Sequence, residues 1–176
     1  AETVVREART MRRQVDHHLA RARAVGRRGS AHSRAEVWPS VESVERAVAR
    51  LYRHVRIDMD GPKDLQVHVE RQDLDEMLGN LIENAAKYGG GSVFVTVAAQ
   101  AGFVEIMVED DGTGIPEEDR VRIFDRGVRL DTGKPGTGLG LAIVRDVAEI
   151  YGGTVALEES EDLGGLLVRL RLPAAA

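Results

Sequence analysis

No cysteine occurs in the 176-residue sequence. Disulfides and thiolate metal sites are therefore excluded, and the composition is compatible with a reducing compartment. Long apolar runs are missing too. Nothing approaches the roughly 18 apolar residues that a membrane helix needs, and there is no signal-peptide pattern, so the chain is expected neither to span nor to cross a membrane. What is present is ordinary for a soluble globular protein, 43% apolar and 30% charged. The length suffices for one full core and a helical appendage. The net charge of −5 is unevenly spread: residues 1–60 carry 13 Arg and 8 acids, residues 61–176 carry 11 Lys or Arg and 21 acids. A basic first segment suits nucleic acid. Here the arginines alternate with apolar positions on one predicted helix, and no aromatic residue sits among them. They form a solvated face, and no nucleic-acid partner is expected.

Val4, Ala8, Met11, Val15, His18, Ala22 and Val25 are spaced alternately by four and three, an a/d heptad seam with arginines outside it. Residues 2–26 read as one helix, and a lone amphipathic helix has no core of its own. It is expected to be half of a hairpin or part of a dimeric bundle. Gly26, Gly29 and Ser30 end it, which gives a helical unit at 1–28, a linker at 29–34 and a folded unit at 35–176. In that unit Ala35–Trp38 reads as extended, and Pro39 suits the first turn of a helix carrying Val41, Val44, Val48 and Leu51. Strands are expected at Val55–Met59 and over Leu65, Val67 and Val69, on either side of a Gly61-Pro62 turn. A helix runs from about Gln72 to Tyr88, closed by Gly89-Gly90-Gly91. A hairpin follows, with Val93, Val95 and Val97 on one strand and Val104, Ile106 and Val108 on the other. A helix over Leu139–Ile150 and two strands, Thr154–Glu159 and Leu166–Leu172, complete the domain. Hairpins with helices laid on one face make an α+β fold, a two-layer α/β sandwich.

The chemistry concentrates in four short runs. In Asn80-Leu-Ile-Glu-Asn84-Ala-Ala-Lys87-Tyr88 the two asparagines are four apart, so both amides leave one helix face. An amide oxygen is a hard ligand suited to Mg²⁺ held by nucleotide phosphates. From this helix alone, two solvated amides beside an apolar stripe remain an open alternative. In Glu109-Asp110-Asp111-Gly112-Thr113-Gly114-Ile115-Pro116 the carboxylate of Asp110 ends a strand. A carboxylate so placed accepts a hydrogen bond from the exocyclic amine of adenine and repels the oxygen that guanine presents there. Gly112 and Gly114 leave room for a base against backbone; a plain β-turn accounts for Asp-Gly when taken alone. Gly136-Thr137-Gly138-Leu139-Gly140 precedes a helix whose free N–H groups and positive dipole end make an anion site. Other phosphate motifs fit poorly. Gly127 stands one residue too far from Gly133-Lys134 for a P-loop, with Pro135 at the Ser/Thr position, and no early βαβ unit supports a dinucleotide fingerprint. The run between Gly127 and Gly138 reads as a lid, with Arg129 and Lys134 supplying charge over phosphates.

These runs, with Phe124-Asp125-Arg126-Gly127, resemble in order the N, G1, F and G2 boxes of the sensor histidine kinase catalytic and ATP-binding domain. The likeness covers roughly Asp73–Gly153. That domain belongs to the superfamily of DNA gyrase, the ninety-kilodalton heat-shock chaperones and MutL. The resemblance implies the Bergerat fold, a mixed sheet with helices on one face. It implies ATP and Mg²⁺ as cofactors. Asn84 then matches the metal ligand, Asn80 its companion, and Lys87 and Tyr88 nucleotide contacts. Asp110, Gly112, Gly114 and Ile115 match the base side, Gly136, Thr137, Gly138, Leu139 and Gly140 the phosphate side. Ile123 and Phe124 anchor the lid to the core. The placement of Arg129 and Lys134 is similar to that in PhoQ-like sensor kinases, although Thr137 stands where that subgroup often carries Gln.

Hydrolysing members of the superfamily, and the anti-sigma serine kinases, keep an acid four residues before the metal asparagine. This chain has Asn80 there, and an amide takes no proton. Glu76 lies one turn further back and Glu83 faces away. That points to phosphoryl transfer to a neutral imidazole, with Asn80, Lys87, Arg129 and Lys134 as the catalytic set. His17 and His18 lack the acid and the nearby proline of a phosphoacceptor box, and His18 falls on the heptad seam. His32, His54 and His68 show no metal spacing. The N-terminal helix then resembles the second helix of a dimerisation hairpin. The expected partners are ATP or ADP, a response regulator, the phosphoacceptor helix of the same kinase, and a second copy in a homodimer. The expected location is the cytoplasmic portion of an inner-membrane sensor, inactive without its acceptor helix. A non-hydrolysing nucleotide-binding module and an anti-sigma serine kinase are the alternatives.

Overall fold

A computed structural model of the protein describes residues 33–120, 123 and 140–175, together with 2–5, 7, 8, 11, 12, 15, 19 and 22 of the first segment. The described positions between 2 and 22 are helical, and Val4, Val5, Met11, Val15 and Leu19 are exposed. No described element covers that apolar stripe. His18 and Val25 of the expected seam, and His17 beside it, lie outside the described residues.

Strand β1 (Ala35–Glu36) leads into α1 (Val37–Leu51). Val37, Val41, Val44 and Val48 are spaced by four, three and four, and all four are buried. The helix starts earlier than the sequence suggests: Val37 and Trp38 are helical, and Pro39 is the third residue. Its missing N–H costs nothing there, because the first N–H groups of a helix have no intrahelical partner. The N–H of Val37 is satisfied from outside, donating to Leu65 O at 3.0 Å. After β2 (Arg56–Asp60) comes β3, which spans only Gln66–Val67. The expected run through Val69 is shortened because its neighbours allow little more. On one side β1 offers two residues before α1 begins, and on the other β3 meets only Ala174 and Ala175.

Helix α2 (Arg71–Tyr88) buries Leu74, Met77, Leu78, Leu81, Ile82 and Ala85 on one face. Strands β4 (Ser92–Gln100) and β5 (Phe103–Asp110) form the expected hairpin. Its two-residue turn places Ala101 at φ 51 and Gly102 at φ 83, the left-handed pair a tight hairpin requires. A four-residue helix α3 (Glu117–Arg120), α4 (Gly140–Ile150), β6 (Thr154–Glu159) and β7 (Leu166–Ala175) complete the elements of the described residues.

The sheet runs β1-β3-β7-β5-β4-β2, with β6 paired to β7; β2 and β4 are parallel and the remaining pairs antiparallel. Alternation decides which face is covered. Val104, Ile106 and Val108 of β5, Val93, Val95 and Val97 of β4, and Val168, Leu170 and Leu172 of β7 join the helices in one buried cluster. The opposite face carries a charged network. Arg169 Nη1 donates to Glu105 Oε2 at 2.9 Å and its Nε to Glu158 Oε2 at 2.8 Å. The Arg171 guanidinium lies 4.5 Å from the Phe103 ring centroid.

Candidate functional site

The second half of α2 connects two clusters. Asn80 and Asn84 project from one side of the helix, both half-buried. Asn80 Nδ2 donates back to Glu76 O at 3.0 Å, so its amine is held by the helix and its carbonyl oxygen points outward. What it faces is the first residue of α4. A Cβ built on Gly140 would stand 3.1 Å from Asn84 Nδ2, 3.5 Å from Asn84 Oδ1 and 3.6 Å from Asn80 Oδ1. Both amides therefore face the N-terminus of an 11-residue helix, where unpaired N–H groups and the positive dipole end converge. Glycine at 140 is what lets the amides come this near. Hard amide oxygens beside an anion-attracting helix end suit Mg²⁺ bridged to phosphate. Glu83 turns away, accepting from Tyr52 Oη at 3.2 Å on the α1 side. At the end of α2, Lys87 Nζ lies 5.3 Å from the Tyr88 ring centroid.

The second cluster lies one turn on. Asp110 is 6% exposed, and its Oδ1 accepts from Gly112 N at 2.9 Å and Leu166 N at 3.2 Å. Burial is the largest influence on this carboxyl and raises its pKa above the ordinary 3.8; the two backbone hydrogen bonds partly offset it. Glycines surround it because nothing larger fits. A Cβ on Gly112 would meet Tyr88 O at 2.7 Å and Gly89 Cα at 3.0 Å, and one on Gly165 would overlap Asp110 O and Oδ1. Next to it Asp111 has a different task. Its Oδ1 accepts from Gly90 N and Ser92 N, both at 2.9 Å, which fastens the exit of α2 to the end of β5. Those bonds, the one from Ser92 first, lower the Asp111 pKa. Gly114 has φ +72 and faces Gly165, while Ile115 packs on the core and its carbonyl accepts from Arg120 Nε at 3.1 Å.

Of the residues singled out in the sequence, Asn80, Asn84 and Gly140 come together at one end of this site, and Asp110, Gly112 and Gly114 at the other. Lys87 and Tyr88 lie on the helix between them. Ile123 is buried in the core. Phe124, Arg129, Lys134, Gly136, Thr137, Gly138 and Leu139 lie outside the described residues. The sequence reading missed Gly165, Asp111 as a backbone clamp, and the pair Tyr151–Asp73. In that pair Tyr151, at the far end of α4, donates its hydroxyl to Asp73 Oδ2 in the first turn of α2. Only the Gly164-Gly165 dipeptide, a pair of glycines inside a hairpin, left a signal for the first of these.

Comparison with known proteins bears on this geometry. Residues 69–176 match the family described as histidine kinase-, DNA gyrase B-, and HSP90-like ATPase. The chain is 41% identical over 163 residues to the two-component sensor PhoQ of Pseudomonas aeruginosa, covering 92% of this chain and 36% of that protein. It is 36% identical over 154 residues to the sensor protein PhoQ of Escherichia coli, covering 86% and 32%. The chain thus spans about a third of the length of these relatives. Among solved structures, the mycobacterial sensor histidine kinase MprB superposes with a TM-score of 0.74 at 28% identity, covering 81% of this chain and 97% of that one. The ATP-binding domain of PrrB from Mycobacterium tuberculosis gives 0.70 at 29% identity, covering 84% and 100%. The two-layer sandwich is thus the Bergerat fold, and the chain belongs to the histidine kinase-, DNA gyrase B- and HSP90-like ATPase family, carrying the ATP-binding domain of its sensor-kinase branch.

Proposed function

We propose that the chain binds Mg²⁺-ATP and supports transfer of the γ-phosphoryl group to a histidine outside residues 1–176, for relay to an aspartate of a response regulator. The observation that carries the reading is that one helix, α2, presents Asn80 and Asn84 to the N-terminus of α4 and, at its own end, abuts Asp110. In this reading the phosphates and metal lie at the first cluster and the base at the second. Asp110 accepts the exocyclic amine of adenine, and Gly112 and Gly114 let the ring lie against backbone. Asn84 Oδ1 is the metal ligand and Asn80 Oδ1 its companion. Gly136–Gly140 and Lys87, with Arg129 and Lys134, hold the phosphates, and Tyr88 flanks the nucleotide. Bound Mg²⁺ would neutralise charge on the phosphates; the chain's own residues bind, orient and exclude water.

Asn80 also bears on the reaction type. Its amine is occupied by Glu76 O, and an amide has no basicity to activate water. Turnover to free phosphate should stay near background, whereas a neutral imidazole needs no base from this domain. In the full-length protein the N-terminal helix would pack in a homodimeric hairpin on the cytoplasmic side of an inner-membrane sensor. Among the described residues no helix is long and apolar enough to cross a membrane. The test is incubation with γ-labelled ATP, alone and with a separate helical hairpin bearing a phosphoacceptor histidine. Labelling of the hairpin only is expected. Acid-labile phosphate on His17 or His18 would instead make the N-terminal segment the acceptor, and rapid release of free phosphate would place the chain among the hydrolases.

A further inference from the structure

Adjacent residues of an extended strand send their side chains to opposite faces. Glu109 and Asp110, the last residues of β5, therefore lie on opposite sides of the sheet, yet one turn holds both. On one side the Ser160 hydroxyl donates to Glu109 Oε1 at 2.9 Å. On the other, Leu166 N donates to Asp110 Oδ1 at 3.2 Å, and in the plane of the sheet Gly165 N donates to the main-chain Asp110 O at 3.1 Å. The turn between these grips is closed on itself. Ser160 Oγ accepts from Leu163 N at 3.0 Å, while Ser160 N donates to Gly165 O and Gly164 N to Ser160 O, both at 2.8 Å. Glu109 is 6% exposed and Ser160 1%. A carboxylate kept this deep is costly unless its hydrogen bond is retained, so the Ser160 bond fixes where the turn can sit.

We propose that Ser160 and Glu109 are positioning residues for base selection. Through the turn they hold Asp110 in one orientation, with Oδ1 occupied by the N–H groups of Gly112 and Leu166 and Oδ2 presented to the exocyclic amine of a purine. The inference rests on Asp110 being the base-recognising group. The backbone at Gly165 enforces the same arrangement, since a side chain there would overlap the Asp110 carboxylate. Without the Ser160 anchor the turn can withdraw, Oδ1 keeps only its local bond from Gly112, and the carboxylate is free to rotate. Selectivity for adenine then falls while the phosphate and metal end is untouched.

The experiment titrates the intact chain with Mg²⁺-ATP and Mg²⁺-GTP, comparing unmutated protein with Ser160→Ala, Glu109→Gln, Gly165→Ala and Asp110→Asn, and records thermal unfolding of each. Ser160→Ala should weaken ATP about ten-fold, equivalent to about 1.4 kcal/mol, with GTP unchanged, so that the ATP/GTP ratio falls by that factor. Gly165→Ala should lower the ratio in the same direction. Glu109→Gln keeps an oxygen for the Ser160 hydroxyl and should hold the ratio within about two-fold of the unmutated protein. Parallel weakening of both nucleotides in Ser160→Ala and Gly165→Ala would make the turn merely structural and overturn the proposal. So would an unchanged ratio in those variants when Asp110→Asn abolishes it. An unchanged ratio in Asp110→Asn itself would instead remove Asp110 from base recognition, and the present inference with it.

Discussion

A methyl group added at Gly140 would point at the paired amides, 3.1 Å from Asn84 Nδ2, 3.5 Å from Asn84 Oδ1 and 3.6 Å from Asn80 Oδ1. Gly140 does not have a positive φ, so alanine fits its backbone. In a helix interior alanine is favoured over glycine by about 1 kcal/mol, and at the first helical position a gain of up to about 0.5 kcal/mol is expected. The 3.1 Å approach is tighter than ordinary contact and is relieved when the Asn84 amide swings aside. Stability should therefore move little, by no more than about 2 °C in the unfolding midpoint. Function should move more. Losing one hard oxygen from a charged site costs about 1.5–3 kcal/mol, or roughly ten- to a hundred-fold in Mg²⁺-ATP affinity. Affinity for ATP in EDTA should change by no more than about two-fold, because the α4 N–H groups remain. Calorimetry with and without metal, paired with thermal unfolding, reads both quantities. Unchanged Mg²⁺-ATP binding in Gly140→Ala would show that Asn84 and the N-terminus of α4 do not hold the metal–phosphate group. Equal losses with and without metal would assign the effect to phosphate contacts alone.

Four further outcomes follow from named contacts. Asn84→Ala should weaken nucleotide binding more with Mg²⁺ than without, whereas Asn84→Asp, still a hard oxygen ligand, should retain metal dependence; identical titrations for both would place the metal elsewhere. Acid should weaken ATP binding through Asp110 at a higher pH than an ordinary aspartate would, since its pKa lies above 3.8 and only the ionised form accepts from the base without a competing proton. Asp110→Asn should remove that component from a pH series, which also subtracts the nucleotide's own ionisation. The same shift has the opposite sign for stability. The Asp110 contribution is present below pH 3.8 and lost as pH rises through its folded pKa, while that of Asp111, with a lowered pKa, is present above 3.8 and lost as pH falls through its folded value. Tyr151→Phe removes the hydroxyl bond to Asp73, which is 1% exposed, and should cost about 1–3 kcal/mol, or roughly 3–8 °C in the midpoint. A midpoint within a degree of the unmutated protein would show that this bond does not tie α4 to α2.

Much of the fold was legible because one face of the sheet is covered by helices and the other is not. The strict alternation of Val93, Val95 and Val97, and of Val104, Ile106 and Val108, records that asymmetry. Glu105 shows its limit. It occupies an outward position, as its pattern suggests, but Arg169 and Arg171 close over it and leave it 6% exposed. The helix Glu117–Arg120 left no trace, because four polar residues have no apolar period. Asn80, Asn84 and Asp110 were readable because amide and carboxylate chemistry is carried by residue type and spacing. Gly165 and Ser160 were not. Their importance comes from approaches to β5 across more than 50 residues of chain, and the Gly164-Gly165 dipeptide marks a turn without showing what it approaches.

The most direct test of the nucleotide site is a calorimetric titration of the chain with ATP, with and without Mg²⁺, and with GTP as competitor. The geometry of Asn80, Asn84, Gly140 and Asp110 predicts binding of Mg²⁺-ATP in the low-micromolar to sub-millimolar range, about −5 to −8 kcal/mol. That binding should weaken without metal and be poorly competed by GTP. Absence of binding heat, or equal competition by GTP with no effect of metal, would contradict it.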